Sequence, residues 1–159
     1  MTISKQDKAA YKDDSPFWNN SFTPETFAEK QEARLSKAKD TLAKLLAVED
    51  TKTVENTLEP YDEIRLLLNA ASYQSGLIEN VHPDKTFRET AEEISQKISA
   101  FYTELSLNKD VFDAISAIDL NDADDATKHY VKKTIRSFKL SGVDRDEETR
   151  VKVKELNDE

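Results

Sequence analysis

Apolar and polar residues recur with a helical period along most of the chain, most regularly from Asp84 to Leu107. Apolar side chains fall at Phe87, Ala91, Ile94, Ile98, Phe101 and Leu105, in steps of four, three, four, three and four. That spacing draws one stripe down an amphipathic helix, with Glu89, Glu92, Glu93, Gln96 and Lys97 on the solvated face. Burying such a stripe is worth roughly 1.5–3 kcal/mol per large side chain before entropy is counted. A helix of this kind needs partners, and the flanking segments read as those partners.

Ahead of it, a first long helix is expected over about 24–48. Thr23 suits its N-cap and Pro24 its first position. Ala28, Leu35, Ala38, Leu42, Leu45 and Leu46 form its apolar face. A short turn over 54–58 leads to a longer helix from Pro60, carrying Tyr61, Ile64, Leu67, Leu68, Ala71 and Leu77, with Gly76 interrupting it late. This helix is apolar on more than one side and is expected at the centre. The loop Asn80-Val81-His82-Pro83 ends it, because a residue before proline avoids helical angles.

After the spine, Asn108 caps a short helix through Val111, Phe112, Ile115 and Ile118. An acidic loop, Asp119 to Asp125, leads into a helix over about 123–140 with Ala126, Tyr130, Val131, Ile135 and Phe138 on its apolar side. Ser141-Gly142 is its stop, with Gly142 in the left-handed position. Asp144 and Glu147 read as the capping box of a last helix with Val151, Val153 and Leu156. The pattern runs to Asp158-Glu159 with no stop signal, and the expectation is a chain cut within a longer protein. The fold class is therefore all-α: five or six mostly antiparallel helices and no sheet. Residues 1–22 form an N-terminal arm and 23–159 a helical domain, truncated in its last helix. Phe17, Trp18 and Phe22 cluster in the arm, either pinning it to the core or serving as anchors for a partner.

Composition agrees with long helices: 2 glycines and 4 prolines in 159 residues, with 35% charged. A net charge of −9 argues against nucleic acid or an anionic membrane as partner. The absence of cysteine removes disulfides and thiolate metal sites, which fits the cytoplasm. The opening residues carry no apolar core of a signal peptide, and no apolar run approaches a membrane span. Asn19-Asn20-Ser21 matches a glycosylation sequon without a secretory context.

Candidate chemistry is sparse. His82 precedes a proline and reads as a loop residue. His129 lies four residues after Asp125 on a helix, but two ligands are too few for a zinc site. Counted from Asp119, the acidic loop has Ala123 fifth, Asp124 sixth and Tyr130 twelfth. An EF-hand needs Gly sixth and Glu twelfth, so helix capping by Asp122 or Asp124 is preferred. Lys132, Lys133 and Arg136 form a small basic face, read as an ion-pairing surface. No catalytic, cofactor-binding or metal-ligating residue is assigned, and no cofactor is expected in this chain.

Several segments together resemble a known family. Thr53 to Ala70, TVENTLEPYDEIRLLLNA, contains a Glu55-Asn56-Thr57 turn between two helices. A His82-Pro83 loop follows, and then a helix with Arg88 near its start. Ile135 to Asp144, IRSFKLSGVD, supplies an R-x-F-x-L-S-G turn, and RDEETRVKVKELNDE opens another helix. In this order and spacing, over about 24–159, the chain is similar to the N-terminal region of the thimet oligopeptidase family of zinc metallopeptidases, hydrolases that include oligopeptidase A and bacterial peptidyl-dipeptidase. The family's zinc site, a His-Glu-x-x-His helix with a later Glu, is not in these residues. The resemblance implies a non-catalytic N-terminal portion of a zinc oligopeptidase, forming part of the wall of a channel that admits short peptides. Its partners would be the catalytic portion of the same enzyme, which would hold the zinc, and short peptides. The alternative is an independent helical protein-interaction module with no enzymatic role.

Overall fold

Three long helices form the body, and a paired set of shorter ones closes one side. The computed structural model describes residues 23–158. The helices are α1 (Pro24–Leu46), α2 (Glu59–Val81), α3 (Lys85–Ser106), α4 (Lys109–Ser116), α5 (Asp125–Ser141) and α6 (Glu147–Asp158), with a π-helical turn at Val54–Leu58. There is no strand among the described residues, and the fold is an all-α bundle. The aromatic cluster and the sequon of the arm lie outside the described residues.

α2 packs along both α1 and α3. Its direction follows from its cross-links. Gln31 Nε2 donates to Gln74 Oε1 at 3.0 Å and Lys37 pairs with Glu63 at 2.7 Å, so α1 and α2 run antiparallel. Ser95 Oγ donates to Glu79 at 3.0 Å, and Tyr102 donates to Asn69, so α2 and α3 are antiparallel as well. α1 and α3 consequently run parallel, bridged by Lys97–Glu32 at 2.6 Å. The central place expected for α2 is the observed one, and its helix continues through Gly76 to Val81.

All six stripe residues of α3 are buried. On α1 the buried line is Phe27, Gln31, Ala38, Thr41, Leu42 and Leu45, and Leu46 points outward. Gln31 is tolerated inside because its amide is paired at both ends, donating to Gln74 and accepting from Arg34 at 2.8 Å. Phe27, Ile78, Phe87 and Ala91 form a small second core at the α1 N-terminus. In the last turns of α2, Ile78 and not Leu77 is the buried apolar residue, beside the buried Ser75.

The motifs named from sequence have structural duties. Asn56 is the hub of the Glu55-Asn56-Thr57 turn. Its Oδ1 accepts from Thr53 N at 2.8 Å and from the buried Thr57 Oγ1 at 2.7 Å, and its Nδ2 donates to Thr51 O at 3.0 Å. Arg88 reaches back from α3 to clamp the loop, donating to His82 O at 2.6 Å and Pro83 O at 3.0 Å. Phe138 is buried against Tyr61 and Phe112. Gly142 adopts φ 93° at the end of α5, and the following Val143 turns fully into the core.

Two expectations need correction. Asp144 does not cap the last helix. α6 begins at Glu147, so the cap is Asp146, which accepts from Thr149 N at 2.8 Å and Thr149 Oγ1 at 3.0 Å. Ala126 is exposed, because the first turn of α5 stands clear of the core. On α6, Val151 and Leu156 are exposed.

Candidate functional site

Helical spacing brings polar side chains from three helices to one cleft of about 170 Å³. α2 supplies Tyr61 and, one turn on, Arg65. α3 supplies Tyr102, Leu105 and Ser106. α5 supplies Thr134 and Ser137. Residues three or four apart share a helical face, so each helix turns its set inward together.

The cleft is edged by a hydrogen-bonded relay. The Tyr130 hydroxyl donates to Asp62 Oδ1, and Arg65 Nη1 donates to the same hydroxyl oxygen at 3.1 Å. The Arg65 guanidinium also lies 6.0 Å from the centre of the Tyr61 ring. Burial pushes the Tyr61 hydroxyl up to about 12, with Arg65 pulling the other way. Burial likewise raises Tyr130, and its bond to Asp62 adds to the shift. All these tyrosines are neutral donors near pH 7.

A second, wider groove of about 510 Å³ lies between α6 and the junction of α3 and α4, lined by Glu104, Asn108, Lys109, Arg150, Val151 and Lys154 among others. The Arg150 Nε is buried there without a hydrogen-bond partner among the described residues.

The residues weighed from sequence stand apart from both. His82 sits in the α2–α3 loop, its Nδ1 accepting from Asp84 N at 3.2 Å and its ring against Phe87. His129 is exposed on α5. In the acidic loop, Asp124 caps α5 through Thr127 N at 2.7 Å, and that bond holds its carboxyl below the usual range. Lys132, Lys133 and Arg136 are exposed and form no ion pair with the described residues. No group of three His, Cys, Asp or Glu among the described residues could hold a metal, so these residues do not fit a zinc site. No helix in the described residues is long and apolar enough to cross a membrane. Sequence reasoning did not find the cleft. Its available signals were the Tyr61/Arg65 and Tyr102/Ser106 pairs, each one turn apart.

This is a helical bundle with a polar, tyrosine-lined cleft and no metal-ligating cluster among its described residues. It is similar to saccharolysin of Saccharomyces cerevisiae, a metallopeptidase of the thimet oligopeptidase family, with 26% identity over 147 residues. The match covers 89% of this chain and 20% of saccharolysin, so the chain spans about a fifth of that relative's length. No protein-family model matches the chain.

Proposed function

We propose that this chain is a non-catalytic N-terminal portion of a zinc-dependent oligopeptidase and forms part of the wall of a channel that admits short peptides. The observation that carries this reading is the likeness to saccharolysin along 89% of the chain. Two structural details support it: the Asn56 hub and the Arg88 clamp give definite roles to the segments that carry the family resemblance. On this reading the zinc and the peptide-cleaving groups lie in the catalytic portion of the same protein. That portion is the chain's partner, short peptides are the substrates of the whole, and the compartment is the cytoplasm. The division is a 1–22 arm and a 23–159 helical domain. The exposed Leu140, Val151 and Leu156 offer apolar contacts to the catalytic portion.

The test compares the product of the whole gene with the 159-residue chain, using internally quenched short peptides. The whole protein should cleave them in a chelator-sensitive way, and the chain alone, supplied with zinc, should not. Turnover by the chain alone, or none by the whole protein, contradicts the proposal.

A further inference from the structure

We propose that the outer face of the C-terminal half of α2 is the seat of the N-terminal arm, with Phe17 and Trp18 lying over Tyr73, Leu77 and Val81. This stands apart from the peptidase reading. α2 carries two apolar lines. The buried one runs through Tyr61, Ile64, Leu68, Ala71 and Ile78. The other recurs at Leu66, Ala70, Tyr73, Leu77 and Val81, in steps of four, three, four and four, so it too keeps to one helical face. On this second line Leu66, Tyr73 and Val81 are 49%, 75% and 66% exposed. An apolar line at helical spacing, unlike scattered single residues, marks a face that another element covers.

The start of α1 directs the arm to that face. Gln31 pairs with Gln74 across the antiparallel α1 and α2, so Thr23, eight residues before Gln31, is level with the last turn of α2. Phe27, one turn into α1, packs with Ile78 there. Thr23 and Thr26 complete a capping box: Thr26 N donates to Thr23 Oγ1 at 3.3 Å, and Thr23 N donates to Thr26 Oγ1 at 2.9 Å. Such a box is often joined by a hydrophobic staple between the residue before the cap and the fourth helical residue, which fixes the angle at which the chain enters. Those positions here are Phe22 and Phe27, both aromatic. The staple holds the arm at the Phe27–Ile78 contact. Trp18 lies five residues before Thr23 and reaches at most about 17 Å from it. Tyr73 and Val81 are about 12 Å apart along α2, within that span, and Leu66 is about 10 Å further on, beyond it. A tethered segment also meets the face at a high effective concentration, which a second copy in dilute solution does not match.

Trp18 is the chain's one tryptophan, so its fluorescence reports on the arm alone. The test is the emission maximum and acrylamide quenching of the 159-residue chain, native and in urea. The expected result is a blue-shifted native emission and quenching several-fold weaker than in urea, both independent of protein concentration. Tyr73→Ser combined with Val81→Ser should shift the emission to the red and restore quenching towards the unfolded value. Circular dichroism should stay as in the parent, because both side chains are exposed. Leu66→Ser, on the same line but beyond the arm's reach, should leave Trp18 as in the parent. A native Trp18 as accessible as in urea overturns the proposal and leaves the face to another part of a longer protein. Protection that survives in a folded double variant, or that is lost equally in Leu66→Ser, also overturns it. So does protection that appears only as protein concentration rises, which makes the occupant a second copy. If the double variant does not fold, the two single variants are read in its place, and an unchanged Trp18 in both overturns the proposal.

Discussion

Tyr130 donates its hydroxyl hydrogen to Asp62 across the α5–α2 interface, and the same oxygen accepts from Arg65 at 3.1 Å. One phenol thus stands between a carboxylate and a guanidinium that lie three residues apart on α2. The relay joins α2 and α5 beside the buried contact of Tyr61 with Phe138.

Tyr130→Phe keeps the ring and removes both bonds, leaving two half-buried charged groups short of a partner. The expected loss is about 1–2 kcal/mol in urea unfolding. A double-mutant cycle with Asp62→Asn should show non-additivity of about 1 kcal/mol. Strict additivity would mean that the two groups do not interact in solution.

Stability should fall at alkaline pH through Tyr61. Its pKa is about 10 when unfolded and is raised to about 12 in the fold. Below pH 10 both states hold the proton and the stabilisation is complete. Between 10 and 12 the unfolded chain loses the proton first, so stability declines by about 2–3 kcal/mol across that window. Urea unfolding at pH 9 and 11.5 measures the decline, and Tyr61→Phe should make it shallower.

Asn56→Ala removes three hydrogen bonds and strands the buried Thr57 hydroxyl, for an expected cost of about 2 kcal/mol. Asn56→Asp retains the acceptor that serves Thr53 and Thr57 and should cost less. Equal losses in thermal unfolding would show that the Oδ1 contacts are not what holds the turn.

Ile98 is 2% exposed in the middle of the α3 stripe. Ile98→Ala should cost about 2–5 kcal/mol through the cavity it leaves, and Ile98→Asp should abolish the fold. Circular dichroism melting reads both. A parent-like melt for Ile98→Asp contradicts the burial of this helix.

The spine was legible because six of its seven buried positions are apolar, Thr103 being the exception, and those six recur in regular steps of three and four. α1 was harder to read: Gln31 and Thr41 are polar but buried, while Leu46 is apolar and exposed, so its true line was displaced from the apparent one. Val143 gave no periodic signal because it is buried by the turn after Gly142 and not by a helix face. The cap at Asp146 was missed because Asp144 and Glu147 imitate a capping box two residues early. The cleft was missed although the Tyr61/Arg65 and Tyr102/Ser106 pairs hint at its walls. It depends on Tyr61, Tyr102 and Thr134 meeting across three helices, and only packing decides that.

The central claim, that the chain is the non-catalytic helical portion of a zinc oligopeptidase, is tested most directly by the coding sequence beyond Glu159 in the source genome. The account predicts an open frame that reaches a His-Glu-x-x-His segment some distance downstream. A frame that closes without one contradicts it and leaves the independent interaction module as the standing alternative.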